Sequence, residues 1–365
     1  MIKNIQYLRC LAALLVVFAH SNLQIFGVPT KYTNIGGFGV DLFFVISGFI
    51  MPYILFGGLY TQGAAPLNGP LSFAWRRISR ILPLYVIATA TAVYLSSLVV
   101  SGGFNAPNNE LMYAFSPSRV DLPWFIESIT FTHWDRAPIL GVGWSLQVEF
   151  FFYIAMTFAL LMGARKLESL EVGIAGFFFL VILLGSINTT NSMAAQAFGN
   201  PLVLEFTMGM FLYRMVSSGA TMPKPWAITT LVLFLPIFLY IELADVIRII
   251  IPYLDRSVQW GFAAMLLVWA ALSLESKTRY SRAMILMGDA SYSLYLSHAI
   301  VAPLFIFFVG RSGLPLVMGP VIYFIALVGT CQVAGIMTHV LVEKPINEAI
   351  RGLSMVGKKR ATRIA

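Results

Sequence analysis

Apolar runs of about twenty residues, broken by short polar or Gly/Pro-bearing stretches, recur along the whole chain. One such run crosses a bilayer core of about 30 Å as an α-helix rising about 1.5 Å per residue. Ten of them begin near Tyr7, Phe38, Ser79, Trp144, Leu170, Phe198, Trp226, Val258, Ile285 and Leu314. The run before Glu242 is the least sharply bounded, because residues 246–254 fit a neighbouring helix or a re-entrant piece as well. Residues 101–143 form the longest connection, too polar and Pro-rich to be a span. The pattern predicts an all-α, polytopic transmembrane helix bundle. Residues 1–350 are read as one transmembrane domain and 351–365 as a short basic tail. No internal repeat relates the two halves.

Composition turns that pattern into a statement about solvent. The chain is 58% hydrophobic and 11% charged, against about 45–50% and about 25% in soluble domains. Only lipid tolerates that much apolar surface on the outside. The net charge of +8 calls for no nucleic-acid partner, because the basic residues sort by membrane side. With the N-terminus in the cytoplasm, only Lys31, Arg119, Arg136, Arg248, Arg256 and Arg311 of the 24 Lys and Arg fall outside. That bias predicts both termini in the cytoplasm and an even number of spans. Lys3 and Arg9 precede the first run without a small-residue cleavage site, so the run is expected to stay as a helix. Cys10 and Cys331 both sit in apolar runs, which gives no disulfide framework.

Ionisable groups inside spans are costly and mark function by default. His20 lies eleven residues past Arg9, about 16 Å further across the membrane. A neutral imidazole there suits general-base work on a hydroxyl; a buried histidine satisfied by a neighbouring carbonyl has the same signature. Asp41 and Glu149 are read near the outer ends of their spans, at the depth of His20. A carboxylate of either kind fits the role of orienting the imidazole, and an acidic residue at a helix N-terminus fits equally. His298, three residues past Tyr295 on one helix face, is a candidate for sugar binding or for an interhelical hydrogen bond. His339, beside Glu343 and Lys344, is expected to be structural. His133 falls in the outer loop, where Trp124 and Trp134 suit interface anchors. Arg76, Arg77 and Arg80 gather with Arg9 at the inner face, either as a plain positive-inside anchor or as guanidinium forks for phosphate. Phosphate-binding charge inside, with a base outside, leaves a gap that a pantetheine arm fits.

Several blocks carry a family resemblance. Residues 5–20 hold an arginine, ten residues and then a histidine, Arg9 to His20. Gly39-Val40-Asp41-Leu42-Phe43-Phe44 forms a second-helix signature, and Arg77-Ile78-Ser79-Arg80 an arginine pair in the third. Trp144-Ser145-Leu146-Gln147-Val148-Glu149 and Ser291-Tyr292-Ser293-Leu294-Tyr295-Leu296-Ser297-His298 follow in order. Together they resemble membrane O-acyltransferases of acyltransferase family 3, most of all the ExoZ-like, exopolysaccharide-modifying members. The resemblance implies about ten helices in a bacterial inner membrane and acetyl-CoA or another acyl-CoA as donor. It implies a sugar hydroxyl of a glycan or lipid-linked glycan as acceptor, and no metal. It further implies that His20 is catalytic and that Arg9, Arg77 and Arg80 handle the donor. Arg76 is grouped with them for the phosphates, Glu149 or Asp41 with His20. Ser145, Tyr295 or Trp144 are expected to stabilise an oxyanion, and Tyr153 and His298 to line the substrate site. A glycolipid transporter or flippase fits ten spans with buried histidine and carboxylates as well.

Overall fold

The computed structural model describes residues 2–102, 120–134, 136–187, 200–244 and 256–352. Among them every regular element is helical. Helices are numbered α1 Lys3–Ala19, α2 Thr30–Asn34, α3 Phe38–Leu55, α4 Pro70–Val100, α5 Leu122–Thr130, α6 Gly143–Leu161 and α7 Leu167–Ile187. Then come α8 Val203–Ser217, α9 Lys224–Leu243, α10 Arg256–Ser273, α11 Arg282–Asp289, α12 Ser291–Arg311 and α13 Leu314–Thr338. A π-helical turn, His339–Glu343, extends α13 into residues 344–352.

Among the described residues seven helical stretches are long and apolar enough to cross a bilayer: Thr30–Leu55, Pro70–Val100, Gly143–Leu161, Leu167–Gly185, Lys224–Leu243, Ser291–Arg311 and Val317–Gly352. Helices also stand where the other three runs were placed, but α1 has 17 residues and α8 has 15. Helix α10 opens on Arg256, Ser257 and Gln259, which dilutes its apolar face. The starting point read at Phe198, the segment 246–254 and the tail beyond residue 352 lie outside the described residues. The connection 101–143 holds no span where it is described, but it is not irregular. Asp121 caps α5 by accepting from the Trp124 amide at 2.7 Å, and Arg136 ties Asp121 and Glu127 together at 3.1 Å each.

Helices α1 and α3 form the centre. Helix α3 packs on α1, α8 and α10, while α1 also meets α11, α12 and α13. In an 18-residue apolar window of Thr30–Leu55 72% is buried, against 11% in that of Lys224–Leu243, so α9 sits at the rim with Val232, Leu235 and Tyr240 outward. Lipid supplies no hydrophobic drive between helices, so close crossings depend on small residues. The α3–α8 crossing is made by two glycines. A Cβ on Gly48 would lie 2.2 Å from the Phe206 carbonyl oxygen, and one on Gly209 would lie 2.2 Å from that of Val45. Gly39 makes the same approach to Ala12 of α1. Backbone cannot yield as a side-chain tip can. Gly48→Val or Gly209→Val is therefore expected to cost about 1–3 kcal/mol or more of bundle stability, measured as a lowered thermal midpoint in detergent.

Candidate active site

Two cavities open along the central helices. The first, about 560 Å³, lies at the N-terminal end of α1. Its basic wall is Arg9 from α1, Arg77 and Arg80 from α4, and Lys344 and Arg351 beyond the π-turn. Helix α6 contributes Ser145, Glu149 and Tyr153 at every fourth residue, the repeat that keeps one helix face turned the same way. The second cavity, about 760 Å³, lies at the other end of α1, bordered by His20, Asp41, Trp144, Arg256 and His298. Val40 and Tyr295 line both. The two cavities thus meet at one partition. Arg9 and His20 are eleven residues apart, three helical turns plus about 20°, so one face of α1 serves both chambers.

The partition is held by hydroxyls. Ser145 Oγ donates to the Val142 carbonyl at 3.0 Å, and the Tyr295 hydroxyl pairs with Ser145 Oγ and approaches the same carbonyl at 3.3 Å. A carbonyl only accepts. With the shorter carbonyl contact taken by Ser145, the chain runs Tyr295 to Ser145 to Val142. The Tyr295 ring stands edge-on to Phe43, with centroids 5.9 Å apart.

In the second cavity His20 occupies the cap position after α1 and is exposed. Its Nδ1 lies 2.8 Å from the Val16 carbonyl, one turn back. Nδ1 therefore carries a proton, and in the neutral ring this leaves the Nε2 lone pair free. The carbonyl contact foreseen as one reading of the sequence is present, but the side chain is exposed and not buried as that reading had it. Neither carboxylate performs the orienting role expected of it. Asp41 is fully buried and accepts from Arg256 at 2.9 Å. The Arg256 guanidinium lies over Trp260, 3.7 Å from the ring centroid. Glu149 belongs to the other chamber, where it accepts from Ser47 at 3.0 Å and from the Tyr153 hydroxyl. The sequence reading placed Glu149 at the depth of His20 by taking the start of α6 as the membrane surface; Glu149 lies six residues in, about 9 Å along the helix.

The arginines also divide. Arg77 is 7% exposed and borders the first cavity, with Nη1 3.6 Å from the Met51 sulfur and Nε without a partner. Arg80 borders the cavity too, whereas Arg76 is exposed and outside it. Residues to which the sequence reading gave no part in the site fill out this chamber. Glu343 accepts from Ser293 and pairs with His339 Nδ1, both at 2.7 Å, and Tyr292 donates to the Ile81 carbonyl at 2.7 Å. The π-turn widens the helix there, and such bulges recur at functional sites. Nothing in the sequence marks it. His133 is buried in the loop after α5, away from both chambers. Burial lowers its pKa below the usual histidine value, with the Glu127 backbone and charge opposing.

A description for an acyltransferase domain, that of acyltransferase family 3, matches residues 2–339 of this chain. The chain belongs to acyltransferase family 3. It is an enzyme that transfers acyl groups, built as a multi-pass membrane protein. Among known relatives, the exopolysaccharide production protein ExoZ of Rhizobium meliloti (strain 1021) is 28% identical over 315 residues, 86% of this chain and 90% of that one. An uncharacterized protein of Haemophilus influenzae is 28% identical over 166 residues, 44% of this chain and 62% of that one. No solved structure matches.

Proposed function

We propose that this family 3 enzyme moves a short acyl group, acetyl in the first instance, from acyl-CoA to a hydroxyl of an exported polysaccharide or its lipid-linked precursor. The acceptor class is supported by the likeness to the exopolysaccharide production protein. The observation that carries the reading is the pair of chambers sharing Val40 and Tyr295, with the Arg77 guanidinium, its Nε unpartnered, in one and the imidazoles of His20 and His298, the latter with an unpartnered Nε2, in the other. On this reading the chain spans a bacterial inner membrane ten times with both ends in the cytoplasm, so the arginine chamber opens inward. Arg77, Arg80 and Arg9 hold the phosphates. The thioester lies at the Tyr295 partition. His20 Nε2 takes the proton of the acceptor hydroxyl while that oxygen bonds to the acyl carbon. As the C–S bond breaks, the leaving sulfur takes that proton back from the imidazolium. Asp41 fixes Arg256 as part of the acceptor wall, and Glu149 with Tyr153 lines the donor arm.

The direct test is acetyl transfer by purified protein in lipid nanodiscs, from labelled acetyl-CoA to oligosaccharides of the host polysaccharide. No ester formed by folded protein ends the proposal, and substrate flux without donor supports a transporter instead. At the partition, the Tyr295 hydroxyl can turn from Ser145 towards a developing oxyanion. Tyr295→Phe is expected to lower kcat by roughly 10²-fold while KM for acetyl-CoA stays close to wild type. An unchanged kcat removes Tyr295 from the chemistry.

A further inference from the structure

His20 is not the only imidazole in its chamber. His298, on α12, is fully buried and borders the same cavity, its ring centroid 5.1 Å from that of His20. Its Nδ1 lies 3.2 Å from the Leu294 carbonyl, four residues back, and its Nε2 has no partner. The logic applied to His20 applies again. The carbonyl fixes the proton on Nδ1 and leaves Nε2 as a bare acceptor. Two helices thus bring two imidazoles together, each with its donor spent on its own backbone. The pair offers two acceptors and no donor. A buried acceptor without a partner is costly, and few persist without a use.

We propose that this pair binds a vicinal diol of the acceptor glycan: His20 receives the hydroxyl to be acylated, and His298 receives its neighbour. The inference rests on the second chamber being the acceptor site. Two O–H donors on adjacent ring carbons match two acceptors side by side. A lone hydroxyl satisfies one and strands the other. A carboxylate or phosphate has no hydrogen to give and is the wrong partner for this pair. His298 is then the residue that decides which hydroxyl is attacked, because its hydrogen bond sets the rotation of the sugar over His20. The competing role for a second imidazole, relay of the proton taken up by His20, does not depend on a second hydroxyl.

The experiment uses the full-length protein in lipid nanodiscs with acetyl-CoA and two surrogate acceptors, trans-cyclohexane-1,2-diol and cyclohexanol. The wild type is expected to favour the diol by roughly 10- to 100-fold in kcat/KM. His298→Leu is expected to bring that ratio to about one. His298→Gln, whose amide oxygen still accepts, should hold part of it, and it carries the test alone if the leucine variant does not fold. A wild type without diol preference, including one that acylates neither surrogate, overturns the proposal. So does a His298→Leu or His298→Gln enzyme whose ratio equals that of the wild type, which is the mark of a relay. Acetylation of host-polysaccharide oligosaccharides is run beside it. If that is absent, the acceptor-site reading itself has failed; if it is present without a diol preference, only this inference falls.

Discussion

His20→Ala is expected to reduce acyl transfer by about 10²–10⁴-fold, the span over which a positioned general base acts, with the thermal midpoint and donor affinity near wild type. The expectation follows from how lightly the side chain is built in. His20 is exposed at the end of α1, and among the described residues its side chain hydrogen-bonds only to Val16, one turn back in the same helix. Removing it leaves no cavity in the core and strands no distant partner, and exposed substitutions of that kind usually stay within about 0.5 kcal/mol. The arginines proposed to hold the donor stand in the other chamber. Activity and folding should therefore separate cleanly. His20→Gln keeps a polar side chain but cannot take up a proton, and it should be as inactive as the alanine variant. Initial rates, thermal unfolding and calorimetric titration with acetyl-CoA measure the three quantities. Full acetylation by folded His20→Ala removes the base from the mechanism. Mass spectrometry after incubation with donor alone asks a separate question: an acetyl group on His20 replaces direct transfer with a covalent intermediate.

How much of this was legible before the fold depends on which residues share an element. Arg9 and His20 were readable because they lie on one helix, where spacing fixes both separation and face. Helix α3 begins at Phe38, and α13 at Leu314, as read, because glycines bound those apolar runs. Helix α4 starts nine residues earlier than read, at Pro70, since its first turns are amphipathic rather than apolar and proline at the first position favours a start. The read start near Ile285 became two helices meeting at Ala290. Contacts between distant elements left no trace. Arg256 was counted as an outer-loop charge, yet it pairs with Asp41 across 215 positions. Glu149 was read at the depth of His20, yet it lines the chamber of Arg77, because depth cannot be counted without knowing where a helix enters the membrane. The tautomer of His20 and the emptiness of His298 Nε2 are properties of local hydrogen bonding, which follows from coordinates and not from residue type.

The arginines provide the second large expected effect, and the structure ranks them where the sequence could only group them. Arg77→Ala is expected to raise KM for acetyl-CoA by roughly 10- to 100-fold, since a hydrogen bond to a charged group is worth about 1.5–3 kcal/mol. Arg76→Ala should stay near wild type. The two are neighbours in sequence, but 100° apart around α4, and only Arg77 borders the chamber. Among the described residues no carboxylate lies within ion-pair distance of Arg77; it touches a methionine sulfur and leaves Nε unpaired in a buried position. A guanidinium so placed carries a desolvation cost that a sulfur contact and the Phe73 ring, its centroid 6.0 Å away, offset only weakly. Its replacement by alanine should therefore leave the thermal midpoint unchanged or higher while donor binding collapses. A residue kept for packing predicts the reverse, a lower midpoint with donor affinity intact. Arg77→Lys should remain impaired, since an ammonium cannot reproduce the planar fork that meets a phosphate at two points. Arg77→Ala with an unaltered donor KM breaks the assignment of the first chamber to the nucleotide, whatever His20 does in the second.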